Sequence, residues 1–174
     1  WYRNSVAIPG AIATQYNVTQ TGAYYAVVTS SAGCSRTTAV KQLDISRFLE
    51  LSRSNPVLDV RSPGEFAHAH IPGAYSLPLF SDEERKVVGT AYKQESREKA
   101  IKAGLDYFGP KMRAMVEEVE QLTTTRKEAD SPNIILVHCW RGGMRSAGVA
   151  WLLDLYGFTV YTLAGGYKAF RKYA

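Results

Sequence analysis

Short apolar runs alternate with longer amphipathic stretches from about residue 41 to the end of the chain. The segments Val57–Val60, Ile134–Val137 and Thr159–Leu163 are short and mostly apolar, which predicts buried strands. Between them, apolar residues recur at helical spacing. We therefore predict helices after Asp44, from Ser81, and over Lys93–Leu105, Pro110–Leu122 and Ser146–Tyr156.

Capping and breaking residues set the expected limits of these helices. Asp44 is a suitable N-cap for the first helix. Gly104 and Gly109 are expected to mark the break between the two middle helices, and Gly157 is suited to end the last one. The segment RSPGEF is expected to be a polar turn.

Apolar strands that alternate with helices predict an α/β fold in which helices cover both faces of a parallel sheet. In such sheets, binding sites lie at the carboxyl ends of the strands. Cys139 lies at the end of the predicted strand Ile134–Val137 and is therefore expected at this edge.

The first 40 residues differ from the rest of the chain. Arg3 and Arg36 are their only charged residues, whereas all 16 acidic residues lie further along. The stretch YNVTQTGAYYAVVTSS alternates as strands do, with Gly22 as a turn. We expect two parts: a short β-rich segment, residues 1–40, and an α/β domain, residues 41–174.

Composition narrows the class of protein. A chain of 174 residues can bury one sizeable core, and 45% hydrophobic with 21% charged residues is typical of a globular protein. We expect no membrane association, because no apolar run is long enough to span a bilayer. Cys34 and Cys139 lie in different segments, so we expect a thiol in the reducing cytoplasm rather than a disulfide framework. The chain begins at Trp1, from which we expect a fragment or a processed product.

The segment NIILVHCWRGGMRS predicts a nucleophilic thiol in an anion-binding loop. A strand, a cysteine, a glycine-containing loop and a helix follow one another, which directs loop amides and a helix N-terminus toward one point. Those dipoles and the arginines Arg141 and Arg145 stabilise a thiolate. The anion-binding loop is expected to comprise Trp140, Arg141, Gly142, Gly143, Met144 and Arg145. The alternative for a lone cysteine after an apolar strand is a small, inert core residue.

Other residues are weaker candidates. Asp59 and Arg61 either shape the pocket or form a structural ion pair. His70 is either a base or a residue that fixes its own loop by a hydrogen bond. Trp140 either stacks on a substrate or packs on the next helix. Tyr92, Lys93, Lys168 and Arg171 are possible contacts for substrate or tRNA, and a solvated surface is the alternative for them. No residue cluster has the spacing of metal ligands, so we expect no bound metal.

The motifs VLDVRSPGEF, HIPGAYSLPL, HCWRGGMRS and LAGGYKAFR, in this order, resemble the rhodanese superfamily. With the stretch VGTAYKQ, residues 41–174 more narrowly resemble the rhodanese domain of tRNA 2-selenouridine synthases. The first 40 residues resemble the later strands of bacterial immunoglobulin-like repeats, and we expect them to be a remnant or a fusion.

The narrower resemblance implies a function and its partners. This family replaces sulfur by selenium in the wobble 2-thiouridine of tRNA, with selenophosphate as donor and a geranylated intermediate, which implies geranyl diphosphate. Cys139 matches the essential thiol of the family. Its members carry a further P-loop domain with a GxxGxGKT motif, which this chain lacks. We expect the thiol site to be present and the full conversion to be incomplete.

Three alternatives stay open at this point. Five residues separate Cys139 from Arg145, which is also the spacing of cysteine-dependent phosphatases, although the loop lacks a carboxylate to act as general acid. Glu65 or Asp82 would have to approach through folding. The other two alternatives are a general thiosulfate sulfurtransferase and a non-catalytic rhodanese binding module.

Overall fold

The computed structural model describes residues 2–4, 6–9, 24–25, 27–29, 35–37, 41–124 and 133–174. The chain divides into two compact units, residues 1–39 and 40–174. In the first unit, β1 (Tyr2–Arg3) pairs antiparallel with β2 (Val6–Ala7) and β3 (Tyr24–Tyr25), and β4 (Val27–Thr29) pairs antiparallel with β5 (Ser35–Thr37). Cys34, Gly22 and much of the predicted strand pattern of this unit lie outside the described residues.

The second unit contains one sheet of five parallel strands. These are β6 (Lys41–Leu43), β7 (Val57–Asp59), β8 (Tyr75–Ser76), β9 (Ile134–His138) and β10 (Thr159–Leu163). Their order across the sheet is β6-β10-β9-β7-β8, so β9 is the central strand. A central strand is covered on both faces, which accounts for the apolar run Ile135–Val137.

Helices flank the sheet and join its strands. They are α1 (Ile45–Ser52), α2 (Pro63–His68), α3 (Asp82–Gln94), α4 (Arg97–Phe108), α5 (Met112–Thr124), α6 (Met144–Tyr156) and α7 (Gly166–Tyr173), with a 3₁₀ turn at Gly109–Lys111. The predicted α/β class with a flanked parallel sheet is confirmed. Within the described residues, no helix combines the length and the apolar character needed to cross a membrane.

Two buried clusters show how β9 divides the core. Ile135, Val137 and Cys139 belong to the larger cluster, which also contains side chains of α4, α5 and α6. Leu136 belongs to the smaller cluster, together with Phe48 of α1 and Tyr167 of α7. Alternate residues of a strand face opposite sides, so Cys139 emerges on the side of the larger cluster.

Several predicted boundaries are confirmed. The Asp44 carboxylate accepts a hydrogen bond from the Arg47 amide at 2.9 Å and caps α1. Ser81 caps α3 through a capping box with Glu84. Gly157 ends α6 with φ +122°, a conformation that favours glycine.

Other boundary predictions are wrong. A single helix over Lys93–Leu105 does not form, because α3 ends at Gln94 and the Ser96 hydroxyl caps a new helix by accepting from the Lys99 amide at 3.2 Å. Gly104 is not a break but a buried residue within α4, where a Cβ atom would lie 3.3 Å from the Phe80 ring. The segment RSPGEF is not only a turn: Pro63 begins α2, which Ser62 and Glu65 cap.

Candidate functional site

The thiol lies at the carboxyl end of the central strand. Strand β9 ends at His138, Cys139 follows, and α6 begins at Met144. We call residues 139–145 the thiol loop. Cys139 is 3% exposed, whereas Arg141, Gly143 and Met144 are exposed to solvent. The site is therefore a buried sulfur beneath an accessible rim.

Polar groups of Gly143 and Ser146 contact the Cys139 sulfur. The Gly143 amide donates to Sγ at 3.3 Å, and the Ser146 hydroxyl oxygen lies 3.3 Å from Sγ. That hydroxyl also donates to the Gly143 carbonyl at 3.0 Å. Because a hydroxyl has one proton, a neutral thiol can donate to Ser146, whereas a thiolate requires that the hydroxyl turn toward sulfur. The site can thus accommodate both protonation states.

The balance of these interactions favours the thiolate. Burial by itself raises the pKa of Cys139, since a charged sulfur loses solvation. The Ser146 hydroxyl, the backbone amides of Ser146 and Gly143, and the charge of Arg145 act in the opposite direction, and the pKa of the thiol falls below its usual value. A lower pKa increases the fraction of the nucleophilic form at neutral pH.

The start of α7 fixes the shape of the loop. The Tyr167 amide donates to the Cys139 carbonyl at 2.8 Å, and the Lys168 amide donates to the Trp140 carbonyl at 3.0 Å. Gly166 has φ +59°, and a Cβ atom there would lie 2.3 Å from the Cys139 oxygen. Gly142 has φ +68°, and its Cβ would lie 2.6 Å from the Leu163 oxygen. Glycine at these two positions allows the backbones to meet.

Arg145 forms an ion pair that connects the thiol loop to α2. Its Nη1 donates to Glu65 Oε2 at 2.8 Å, and Arg85 Nε lies 3.7 Å from the same oxygen. Burial raises the pKa of Glu65, but the hydrogen bond and charge of Arg145, the Ser62 amide and the charge of Arg85 together lower it below its usual value. Glu65 is therefore a carboxylate at neutral pH.

Asp59 and Arg61 lie beneath the loop rather than at its surface. Arg61 Nε donates to both Asp59 oxygens, at 2.9 and 3.0 Å, and its Nη2 donates to the Ala69 carbonyl at 2.8 Å. The guanidinium carbon lies 3.9 Å from the Tyr167 ring centre and 6.0 Å from that of Trp140. Arg61 is 1% exposed and Asp59 is fully buried, so this geometry is that of a structural ion pair supporting α7 and Trp140.

Neither His138 nor His70 contributes a polar group to the thiol. His138 is fully buried, neither ring nitrogen has a hydrogen-bond partner, and Nε2 lies 3.7 Å from Asp59 Oδ2. Burial lowers the pKa of His138 to about 4, against the opposing effect of Asp59, so the ring is neutral at neutral pH. His70 is exposed, stacks on Phe66, and its Nδ1 lies 3.0 Å from the Phe66 carbonyl oxygen, which fixes its own loop.

The remaining candidates lie at the surface. Trp140 is half-buried and packs on Tyr167, with ring centres 5.8 Å apart. Lys168 and Arg171 are exposed on α7, the helix whose N-terminus holds the thiol loop. Tyr92 and Lys93 are exposed on α3. A cavity of about 620 Å³ between α3 and α4 is lined by residues such as Val87 and includes no residue of the thiol loop.

Two features of the site were not predicted from sequence. Ser146 begins the helical pattern after the loop, and the sequence alone indicates no role for its hydroxyl. In the structure it lies in the first turn of α6, directly after Arg145, and faces the sulfur. The pairing of Glu65 with Arg145 joins residues 80 positions apart, and no local pattern indicates it. In the described part of the chain, no three His, Cys, Asp or Glu side chains are grouped as metal ligands would be.

Comparisons with known proteins agree with this fold. Residues 44–173 match the family described as rhodanese-like domain. The chain is 41% identical over 120 residues to the tRNA 2-selenouridine synthase of Hydrogenovibrio crunogenus, a match that covers 68% of this chain and 31% of that protein. It is 34% identical over 137 residues to the tRNA 2-selenouridine synthase of Bdellovibrio bacteriovorus, covering 78% of this chain and 35% of that protein.

A solved structure is also similar. The N-terminal domain of a Clostridium difficile 630 protein, named for ATP/GTP binding, is 36% identical with a TM-score of 0.69. That similarity covers 78% of this chain and 98% of the solved domain. The chain thus spans about a third of the length of the curated relatives it matches. The resemblance of residues 1–40 to immunoglobulin-like repeats has no support among the comparisons.

Proposed function

Because the chain belongs to the rhodanese-like domain family, we propose that it is the thiol-bearing domain of a tRNA 2-selenouridine synthase. In this proposal, Cys139 takes part in chalcogen transfer by which selenium from selenophosphate replaces the sulfur of the wobble 2-thiouridine of tRNA. The observation that carries the proposal is the buried Cys139 sulfur, which accepts from the Gly143 amide and has a lowered pKa. The names of the relatives support the tRNA substrate.

The geometry suits a donor with a tetrahedral anionic group. With thiosulfate, the Cys139 thiolate attacks the outer sulfur, a new S–S bond forms, and sulfite leaves with the electron pair of the broken S–S bond. Loop amides and the Arg145 guanidinium are suitable donors to the oxyanion. The resemblance implies that the loop is one residue longer than in ordinary thiosulfate sulfurtransferases. We propose that it binds the phosphoryl oxygens of selenophosphate in the same way.

The names of the relatives support tRNA as a partner, and the remaining partners are part of the proposal. We propose that tRNA contacts the exposed basic face of α7, which carries Lys168 and Arg171. Charge reversal at both positions is expected to weaken tRNA binding and reduce its salt dependence, as measured by filter binding; unchanged binding would exclude this face. Geranyl diphosphate and a P-loop domain belong to the proposed full conversion, which takes place in the cytoplasm.

A phosphatase fits the site less well. Such an enzyme needs a general acid to protonate the leaving oxygen. Glu65 is ionised and engaged by Arg145, and Asp82 accepts from the Gly64 amide at the start of α2. Turnover of p-nitrophenyl phosphate that Cys139→Ser abolishes would favour the phosphatase over the transferase.

Mass spectrometry of the protein after incubation with thiosulfate tests the proposed role of Cys139. We expect a persulfide on the Cys139 peptide, formed as sulfite leaves, that is lost on reduction and absent from Cys139→Ser. Cys34→Ser is the matched control, because it removes the other thiol and should leave the adduct unchanged. A Cys139 peptide that stays unmodified after incubation with thiosulfate would refute a catalytic thiol and favour the binding module.

A further inference from the structure

Glu65 lies outside the thiol loop, yet one of its oxygens connects the elements around the loop. Oε2 accepts from the Ser62 amide at 3.1 Å and lies 3.2 Å from the Ser62 hydroxyl, which anchors it at the start of α2. The same oxygen accepts from Arg145 Nη1 at 2.8 Å. Arg85 Nε of α3 is 3.7 Å away. The side chain is 19% exposed, so it is held largely within the protein.

This contact determines how Arg145 is presented. A guanidinium is a planar fork that can bind two oxygens of a phosphate or carboxylate at once. In Arg145, Nη1 is directed to Glu65, and the described residues offer no acceptor to Nε or Nη2. One edge of the fork is thus fixed by the protein, while the other remains for an anion at the thiol loop.

We propose that Glu65 is a positioning residue for the donor anion: it acts through Arg145, which it orients toward a phosphate-class group above Cys139. This inference rests on the proposed function, since it requires the thiol loop to bind such an anion. A flexible arginine side chain loses rotamer freedom when it binds, and an arginine already fixed by a carboxylate loses less. Removing the negative charge of Glu65 would by itself favour binding of an anion. We nevertheless expect weaker binding, because Arg145 is then no longer held in place.

Inorganic phosphate is the probe, and protection of Cys139 from iodoacetamide is the readout, with alkylation located by mass spectrometry. Ionic strength is held constant, and every protein carries Cys34→Ser. Glu65→Ala is expected to raise the phosphate concentration for half-protection about tenfold, because it removes a charge-assisted hydrogen bond to Arg145. Glu65→Gln keeps an acceptor in place and is expected to raise it only about threefold.

Two controls separate positioning from helix capping and from general charge effects. Ser62→Ala removes the hydroxyl beside the same Glu65 oxygen but keeps the pair with Arg145. Glu117→Gln disrupts an exposed pair with Arg113 on α5, at 2.7 Å. Glu117→Gln is expected to bind phosphate as the parent protein does. Ser62→Ala keeps the Ser62 amide and the pair with Arg145, so it is expected to weaken phosphate binding less than Glu65→Ala does.

The outcomes distinguish failure of this inference from failure of the proposed function. If phosphate protects the parent protein and Glu65→Ala binds it equally or more tightly, the positioning role is wrong and the anion site stands. The role is also wrong if Ser62→Ala weakens binding as much as Glu65→Ala does. If phosphate does not protect the parent protein, the proposed anion site fails, and the role of Glu65 fails with it. If Glu65→Ala does not fold, as judged by circular dichroism, phosphate binding by Glu65→Gln is the deciding measurement. Binding as tight as that of the parent protein, or tighter, would overturn the proposal.

Discussion

The buried imidazole of His138 makes the stability of the protein depend on pH in a calculable way. Burial lowers its pKa to about 4, compared with 6.5 for an ordinary histidine. Between these values the unfolded chain binds a proton that the folded protein does not, so unfolding is favoured as pH falls from 6.5 toward 4. From pH 7 to pH 5, linkage gives a loss of about 2 kcal/mol in the free energy of unfolding from this residue alone.

Replacing His138 with leucine tests this reasoning. Neither ring nitrogen has a hydrogen-bond partner, so the variant is expected to be about 1 kcal/mol more stable at pH 7. At pH 5 its advantage should grow by about 2 kcal/mol, because leucine does not titrate. Urea unfolding of both proteins at the two pH values measures the difference, and exposed His68→Leu controls for losing a surface imidazole. An advantage that does not change with pH would refute a neutral, desolvated His138.

Two further predictions concern the thiol loop. Gly166→Ala is expected to lower the free energy of unfolding by roughly 2–4 kcal/mol, because φ is +59° and the new Cβ would lie 2.3 Å from the Cys139 oxygen. Thermal unfolding measures this loss. Gly109→Ala is the control and should change the stability little, because a Cβ there meets nothing within 4 Å. Equal losses in the two variants would mean that close packing at Gly166 is not the cause. Ser146→Ala is expected to raise the pKa of Cys139, since a hydrogen bond to the thiolate is lost. The pH dependence of alkylation by iodoacetamide reports that pKa, and an unchanged profile would contradict the role given to the hydroxyl.

Elements with strong local signals were predictable from the sequence. Strand β10 has the predicted limits, Thr159–Leu163, because it lies inside the sheet between β6 and β9 and follows a helix that ends at a glycine. Cys139 follows a strand, as predicted, because the short apolar run before it is typical of a buried strand in a parallel sheet. The α/β class follows from the same alternation of elements.

Features that depend on distant partners were not predictable in this way. The edge strand Lys41–Leu43 is short and largely exposed, and it is defined by its pairing with β10 rather than by its own pattern. The break between α3 and α4 is not predicted, because a serine between two charged helical stretches is a weak signal for a helix boundary. Gly104 is a stronger signal for a break, but it lies inside α4, where it allows close packing against Phe80. The pair of Glu65 with Arg145 requires α2 and α6 to be folded together.

The contact between the thiol loop and α7 also bears on the order of events during synthesis. Carbonyl groups of Cys139 and Trp140 receive their hydrogen bonds from Tyr167 and Lys168, near the end of this unit. A ribosome must therefore translate almost the whole domain before the loop can be completed. Until then, the nascent chain carries Cys139 and Trp140 without the backbone partners that fix the loop in the folded protein.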